Sequence, residues 1–178
     1  MTGIMTAISG SIPGKIYANG LYRRTYSGYF ADNVNYFDGA SPTAAAVDTS
    51  PVSPGAILAT TSYQWLGYWL ATSDTIFSGT NTYFGLTSDD ASYLWIGNTA
   101  LTGYTTGNAL INLGGLHASQ TATGNTPMTA GVYYPIRIQY GNNIGDSAFQ
   151  FTVFSNSLGN YTTTMTSNIF YNSVTNGL

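Results

Sequence analysis

Apolar and polar positions alternate with a period of two through several short stretches, and no 3.6-residue period is sustained anywhere in the chain. The clearest case is "VYYPIRIQY", residues 132–140. Val132, Tyr134, Ile136, Ile138 and Tyr140 share one face, and Tyr133, Pro135, Arg137 and Gln139 share the other. This spacing predicts a strand with Ile136 and Ile138 inward. Pro135 has no N–H to give to a ladder, so the strand is expected to have an open side there. "AFQFTVF" (148–154) alternates in the same way, and "QWLGYWLA" (64–71), "TYFGLT" (82–87) and "YLWIG" (93–97) are further strand candidates. Short strands separated by turn clusters predict an all-β fold, an antiparallel β-sandwich. The stretch 38–56, "DGASPTAAAVDTSPVSPGA", with three prolines and many small residues, is expected to be a long surface loop.

Composition sharpens this picture. At 178 residues the chain suits one domain with a substantial core. Hydrophobic residues make up 43% and charged residues only 6%, so the polar surface must come from Thr, Ser, Asn, Gly and Tyr. Glu is absent and Lys occurs once, which leaves little material for surface helices. A net charge of −3 without a basic stripe argues against nucleic acid as a partner. No apolar run approaches membrane-spanning length, so membrane insertion is not expected. The start, "MTGIMTAISGSIPGK", has no basic n-region followed by a long apolar run and does not resemble a signal peptide. A charge-poor surface without such a leader fits a virion structural protein released by lysis, as from a bacteriophage. The absence of cysteine removes disulfides and thiolate metal sites.

The candidate chemistry lies in "GLTSDDASYLWIG", residues 85–97, where two adjacent aspartates separate two runs that favour burial. Two carboxylates about 4 Å apart repel by about 1 kcal/mol in water and by about 4 kcal/mol at an intermediate dielectric. Three arrangements relieve this: the side chains diverge into solvent at an ordinary Ser-Asp-Asp turn, one keeps a proton, or a cation sits between them. A second stretch, "YGNNIGDS" (140–147), adds the amides of Asn142 and Asn143, the carboxylate of Asp146 and carbonyls of a Gly-containing loop. Together these would form an oxygen-only set of the kind calcium takes. No His or Cys cluster points to zinc or copper.

These two stretches also carry a family likeness. "SDDASYLWIGNTALTGYTTGNA" (88–109) and "GVYYPIRIQYGNNIGDSAFQFTV" (131–153) resemble the GLEYA lectin-like domain of fungal adhesins, a branch of the protective-antigen-type β-sandwich superfamily. "GLYRRTYSGYF" (20–30) and "FGLTSDD" (84–90) sit where that family has its first strand and its first calcium strand. The resemblance covers residues 20–154, with residues 1–19 as an N-terminal extension and 155–178 as a C-terminal one. It implies a cis peptide between Asp89 and Asp90 and one calcium ion held by Asp89, Asp90 and Asn142. The carbonyls of Ile144 and Asp146 would complete the set. The chain departs from the family's yeast members in having no cysteine.

The resemblance implies a calcium-dependent carbohydrate-binding surface module. Its partner would be a glycan on a cell surface, and its place extracellular or on a virion surface. The rival is a structural subunit of a capsid, tail or fibre with the same fold and no glycan. The apolar content of "NIFYNSV" predicts that the tail, 155–178, docks on another subunit, as in a homo-oligomer. Enzymatic activity is not expected. His117 is the sole histidine, there is no G-x-S-x-G elbow, and glycosidase acids stand about 5 Å or more apart across a cleft. Trp65, Trp69 and Trp95 are expected in the core rather than on a sugar platform.

Overall fold

The computed structural model describes residues 16–50, 52–77 and 79–178. The expected N-terminal extension, 1–19, lies outside the described residues except for its last four. Among the described residues the strands are β1 (Tyr17–Asn19), β2 (Leu21–Ser27), β3 (Ala44–Asp48), β4 (Thr61–Leu70), β5 (Ile76–Phe77), β6 (Asn81–Asp89) and β7 (Ser92–Ile96). They continue with β8 (Ile111–Leu113), β9 (Gln120–Pro127), β10 (Tyr133–Asn142), β11 (Ala148–Ser155), β12 (Asn160–Thr162) and β13 (Ile169–Asn172). Two single-turn helices, α1 (Tyr36–Gly39) and α2 (Asn98–Leu101), are the α-helical content of the described residues.

The strands form two antiparallel sheets, as the period-2 pattern requires. The larger sheet has eight strands, ordered β1-β13-β4-β10-β7-β8, with β2 pairing to β4 and β3 to β2. The smaller has five: β12, β11, β6 and β5 in order, with β9 on the other side of β6. β4 and β10 run side by side for ten residue pairs, from Leu70↔Tyr133 to Thr61↔Asn142. The expected inward face of β10 is the observed one. Val132, Tyr134, Ile136, Ile138 and Tyr140 all belong to the main core between the sheets. Pro135 lies just beyond the β7 ladder, which ends at Ile136↔Ile96. Its carbonyl accepts from Gly97 N at 2.8 Å. A strand residue presents its N and C=O to the same side, so the missing N–H faces the side where β7 has ended.

Aromatic rings join the two sheets. Trp65 of β4 stacks on Phe149 at the start of β11 with centroids 4.6 Å apart, and Trp69 meets Phe84 of β6 edge-on at 5.1 Å. Such pairs add about 0.5–1.5 kcal/mol each beyond the area they bury. Trp65 and Trp69 are fully buried, as expected for core residues.

The larger sheet is covered on its other face as well. Tyr93 and Trp95 of β7 pack there with Tyr26, Phe30, Val34, Phe37, Ala100 and Tyr104, forming a second apolar cluster under the segments that carry α1 and α2. This explains why the polar face of β10 is buried. Arg137 Nε donates to Ala100 O at 2.8 Å, and its guanidinium lies 4.0 Å from the Tyr104 ring centroid. Gln139 Nε2 donates to Val34 O at 2.9 Å.

Two stretches differ from expectation. Residues 38–56 are not a loop throughout: Ala44–Asp48 forms β3 against β2, and Val52 enters the main core. The small side chains suit an edge strand, and the prolines flank it. Residues 155–178 are woven into this chain's own sandwich. β12 pairs with β11, β13 pairs with both β4 and β1, and Met165 and Ile169 are core residues. Met165 and Ile169 are thus used within the domain, while Leu158 and Val174 are exposed.

Gly67 shows why β13 can lie where it does. A β-carbon at this position, between Trp65 and Trp69, would collide with the Phe170 carbonyl oxygen and lie 2.7 Å from Leu21 Cδ2. Gly67→Ala is therefore expected to destabilise the fold by about 1–3 kcal/mol through overpacking, measured as a lower denaturant midpoint at unchanged slope. The second cluster gives a pH test. Tyr104 donates to Asp38 Oδ1 at 2.5 Å, and burial, followed by that hydrogen bond, pushes its phenol up to about 12. A raised folded value means the native state holds this proton longer than the unfolded chain, whose tyrosines titrate near 10. Stability should be intact below about pH 10 and fall as pH rises through about 12. Tyr104→Phe should flatten part of that decline in alkaline denaturation curves.

Candidate metal centre

The aspartate pair sits where the chain leaves one sheet for the other. Asp89 ends β6 in the small sheet, and Ser92 begins β7 in the large sheet. The chain makes the reverse passage between β10 and β11. The register places the two passages together: Asp89 is opposite Ala148, and Ser92 is opposite Tyr140. The candidate residues from distant parts of the sequence therefore meet at one end of the sandwich. The Asp89–Asp90 peptide is cis.

Asp90 is buried, with 6% of its surface exposed, and main-chain donors hold both carboxylate oxygens. Asn143 N donates to Oδ2 at 2.8 Å and His117 N to Oδ1 at 3.2 Å. Asp89 is half-buried, and its carbonyl accepts from the Tyr140 hydroxyl at 2.7 Å. Burial, then the neighbouring charge of Asp90, raises the Asp89 carboxyl from its ordinary value, and the charge of Asp146 adds to the rise. The like-charge conflict expected from the sequence is thus present in the fold.

Asn142 is the third side chain. It closes β10 and is almost fully buried; Nδ2 donates to Leu58 O at 3.3 Å, while the buried Oδ1 has no hydrogen-bond partner. Its flanking residues anchor it beside the aspartates: Gly141 N donates to Ala91 O at 2.9 Å, and Asn143 N reaches Asp90. Ile144 and Asp146 follow in the exposed turn between β10 and β11. The Asn143 carbonyl accepts from Thr60 N at 2.6 Å and from the Thr60 hydroxyl at 3.1 Å.

Among the described residues no group of three His, Cys, Asp or Glu side chains converges on one point. The candidate donors are two carboxylates, one amide oxygen and loop carbonyls, all hard oxygen ligands. They fit calcium, which takes six to eight such atoms. An unpartnered buried acceptor on Asn142 and the repelling carboxylates of Asp89 and Asp90 are groups that a cation would suit.

The sequence reading missed a third loop, between β8 and β9. It brings His117 N to Asp90, and Asp32 positions it by accepting from Gly115 N at 3.1 and 3.0 Å and from the Tyr93 hydroxyl at 2.6 Å. The signal was the Gly114-Gly115 pair. Gly115 has a φ of 91°, in the region that favours glycine. His117 contributes its main chain. Its ring nitrogens face the carbonyls of Ala118 and Leu113, at 2.9 and 3.3 Å.

The fold recurs in solved structures of low sequence identity. An anti-sigma factor domain-containing protein matches with a TM-score of 0.63 at 16% identity; the match covers 88% of this chain and 49% of that one, so the present chain spans about half its length. The A domain of epithelial adhesin 6 from Candida glabrata, in complex with Galβ1-3GlcNAc, matches with a TM-score of 0.62 at 18% identity over 94% of this chain and 93% of that one. A PA14 sugar-binding domain from an RTX adhesin matches with a TM-score of 0.63 at 14% identity over 86% and 99%. No curated protein matches the chain in sequence. The GLEYA domain model matches residues 61–155, which run from the start of β4 to the end of β11 and hold both inter-sheet passages. That span is just over half of the 178 residues, and the chain belongs to the GLEYA domain family.

Proposed function

We propose that the chain is a calcium-dependent carbohydrate-binding surface module, adhesin-like and without enzymatic activity. Asp89 and Asp90 would supply carboxylates, Asn142 its Oδ1, and Ile144 and Asp146 main-chain carbonyls. The observation that carries this reading is the buried, unpartnered Asn142 Oδ1, on the residue next to Asn143, whose N–H holds Asp90. Two of the similar structures are described as sugar-bound or sugar-binding, which supports carbohydrate as the ligand.

The protein's own residues do the positioning. The main-chain donors of Asn143 and His117 fix Asp90, and outer contacts of this kind are worth about 10–100-fold in metal affinity. The Tyr140 hydroxyl fixes the main chain of Asp89. The turn at 144–147 is exposed, which supports approach of a ligand from that side. When bound, calcium supplies coordination positions at which sugar hydroxyl oxygens take the place of water. One such contact is weak, so attachment would use many copies on an outer surface of a virion or cell, with other subunits as partners. Among the described residues no helix is long and apolar enough to cross a membrane.

Calorimetric titration should show that Asp90→Ala lowers calcium affinity by at least about 100-fold. Calcium affinity equal to wild type in this variant would remove the pair from the site. Asp89→Asn should give opposite responses in two conditions. In chelator it relieves the repulsion with Asp90, so the melting temperature should hold or rise; in calcium the variant should lack the stabilisation that wild type gains. On a glycan array, binding should occur with calcium and vanish with chelator. Calcium binding without any glycan signal would favour the structural-subunit reading.

A further inference from the structure

We infer that the outer face of the small sheet carries a second, metal-free carbohydrate subsite. It would take the continuation of a neutral oligosaccharide whose first unit is held at Asp89–Asp90. This rests on the carbohydrate reading above and extends it to chain length.

The face holds an open groove of about 480 Å³, within the range of about 300–1,000 Å³ that small-ligand sites take. Thr87, Thr121, Thr123, Gln150, Thr152 and Tyr161 line it, and none of its lining residues is charged. Such a surface offers hydroxyl and amide groups to a ligand rich in hydroxyls and gives no counter-charge to an anion or cation. The strand registers assemble it. Thr87 of β6 is opposite Thr121 of β9 and Gln150 of β11, while Gly85 is opposite Thr123 and Thr152. The Thr87 and Thr121 hydroxyls are 2.7 Å apart, which orients both.

Gly85 explains the concavity. A β-carbon there would lie 2.5 Å from Thr152 Oγ1 and 3.7 Å from two carbons of the Tyr161 ring. The missing side chain therefore lets Tyr161 reach from β12 across β11 toward β6. The ring is held edge-on to Phe154 at 5.7 Å yet remains 39% exposed. A partly exposed aromatic beside polar groups suits the apolar face of a pyranose. The groove also lies along the strand that leads to the candidate metal centre. Gly85, Thr87 and Asp89 are alternate residues of one strand and so share a face. Thr87 and Asp89 are about 7 Å apart along it, at about 3.3 Å per residue.

The test is calorimetric titration with galactose, Galβ1-3GlcNAc, lacto-N-tetraose and maltohexaose, with calcium and with EDTA. The variants are Tyr161→Ala, Thr87→Val and Asp90→Ala. In calcium, a tetra- or hexasaccharide should bind about ten-fold more tightly than the single sugar. Tyr161→Ala and Thr87→Val should each erase most of that gain, leaving calcium affinity and galactose binding unchanged. Thr87→Val keeps the shape of the side chain and decides the matter if Tyr161→Ala does not fold. If chain length brings no gain, or both variants keep it, the groove is not a subsite, while calcium-dependent binding of the short sugars would still uphold the proposed function. If Tyr161-sensitive binding of long chains persists in EDTA and in Asp90→Ala, the groove stands and the calcium reading falls. If none of the four sugars binds, the subsite is rejected along with the carbohydrate reading.

Discussion

The pairing of β10 with β7 in one sheet and of β11 with β6 in the other organises this molecule. Because β6 leads into β7 and β10 into β11, these two ladders oblige both inter-sheet passages to lie at the same end of the sandwich. The candidate centre is a consequence of that topology. Asp90 and Asn143, 53 positions apart in sequence, become hydrogen-bond partners because their strands are neighbours. A slip of one residue in either ladder would turn every side chain to the opposite face and part Asn142 from the aspartates.

The same ladders depend on a large sheet that is shielded on both faces. Trp65 and Trp69 look toward the small sheet, and Trp95 looks toward the cluster beneath α1 and α2. With both faces covered, the polar residues of β10 must find partners inside the protein. Arg137 Nε and Gln139 Nε2 do so through main-chain carbonyls of the covering segments, while Gln139 Oε1 has no hydrogen-bond partner. These bonds tie the outer layer to the sheet, so the segments that flank the centre are held by the same strands that carry its candidate residues. Asp32 extends the arrangement, gripping the loop that delivers His117 N to Asp90.

The centre itself concentrates negative charge at a point of limited solvation. Asp90 is fixed by two main-chain donors, and Asp89 feels both burial and the Asp90 charge. The amide oxygen of Asn142 adds an acceptor without a hydrogen-bond partner. Fixed acceptors without a cation are costly, and the same atoms in the same places favour a cation because little reorganisation is needed to bind it. The groove on the small sheet has the opposite character: uncharged, hydroxyl-rich and aromatic at one end. A carbohydrate has both kinds of surface, hydroxyl oxygens that suit a cation and C–H faces that suit a ring.

The sequence by itself determined the class of fold and singled out the residues proposed for the centre. Alternation fixed which residues of "VYYPIRIQY" face inward, because a strand's side chains obey a strict period of two. The adjacency of Asp89 and Asp90 exposed an electrostatic conflict without any coordinates, because neighbours in sequence cannot separate far. Family motifs pointed to Asn142, whose buried Oδ1 the fold leaves without a hydrogen-bond partner. Burial on the second face of the large sheet was not legible, since a period-2 pattern with Arg137 and Gln139 on one side has the same form whether that side meets water or a layer of loops. Nor was it legible that 44–48 forms an edge strand, because alanines in a proline-flanked stretch carry little periodic signal. The tail's place in both sheets, the loop that brings His117 N to Asp90, and the groove over Gly85 were decided by tertiary structure alone. Each depends on which strands become neighbours, and that is set by the whole core rather than by any local stretch.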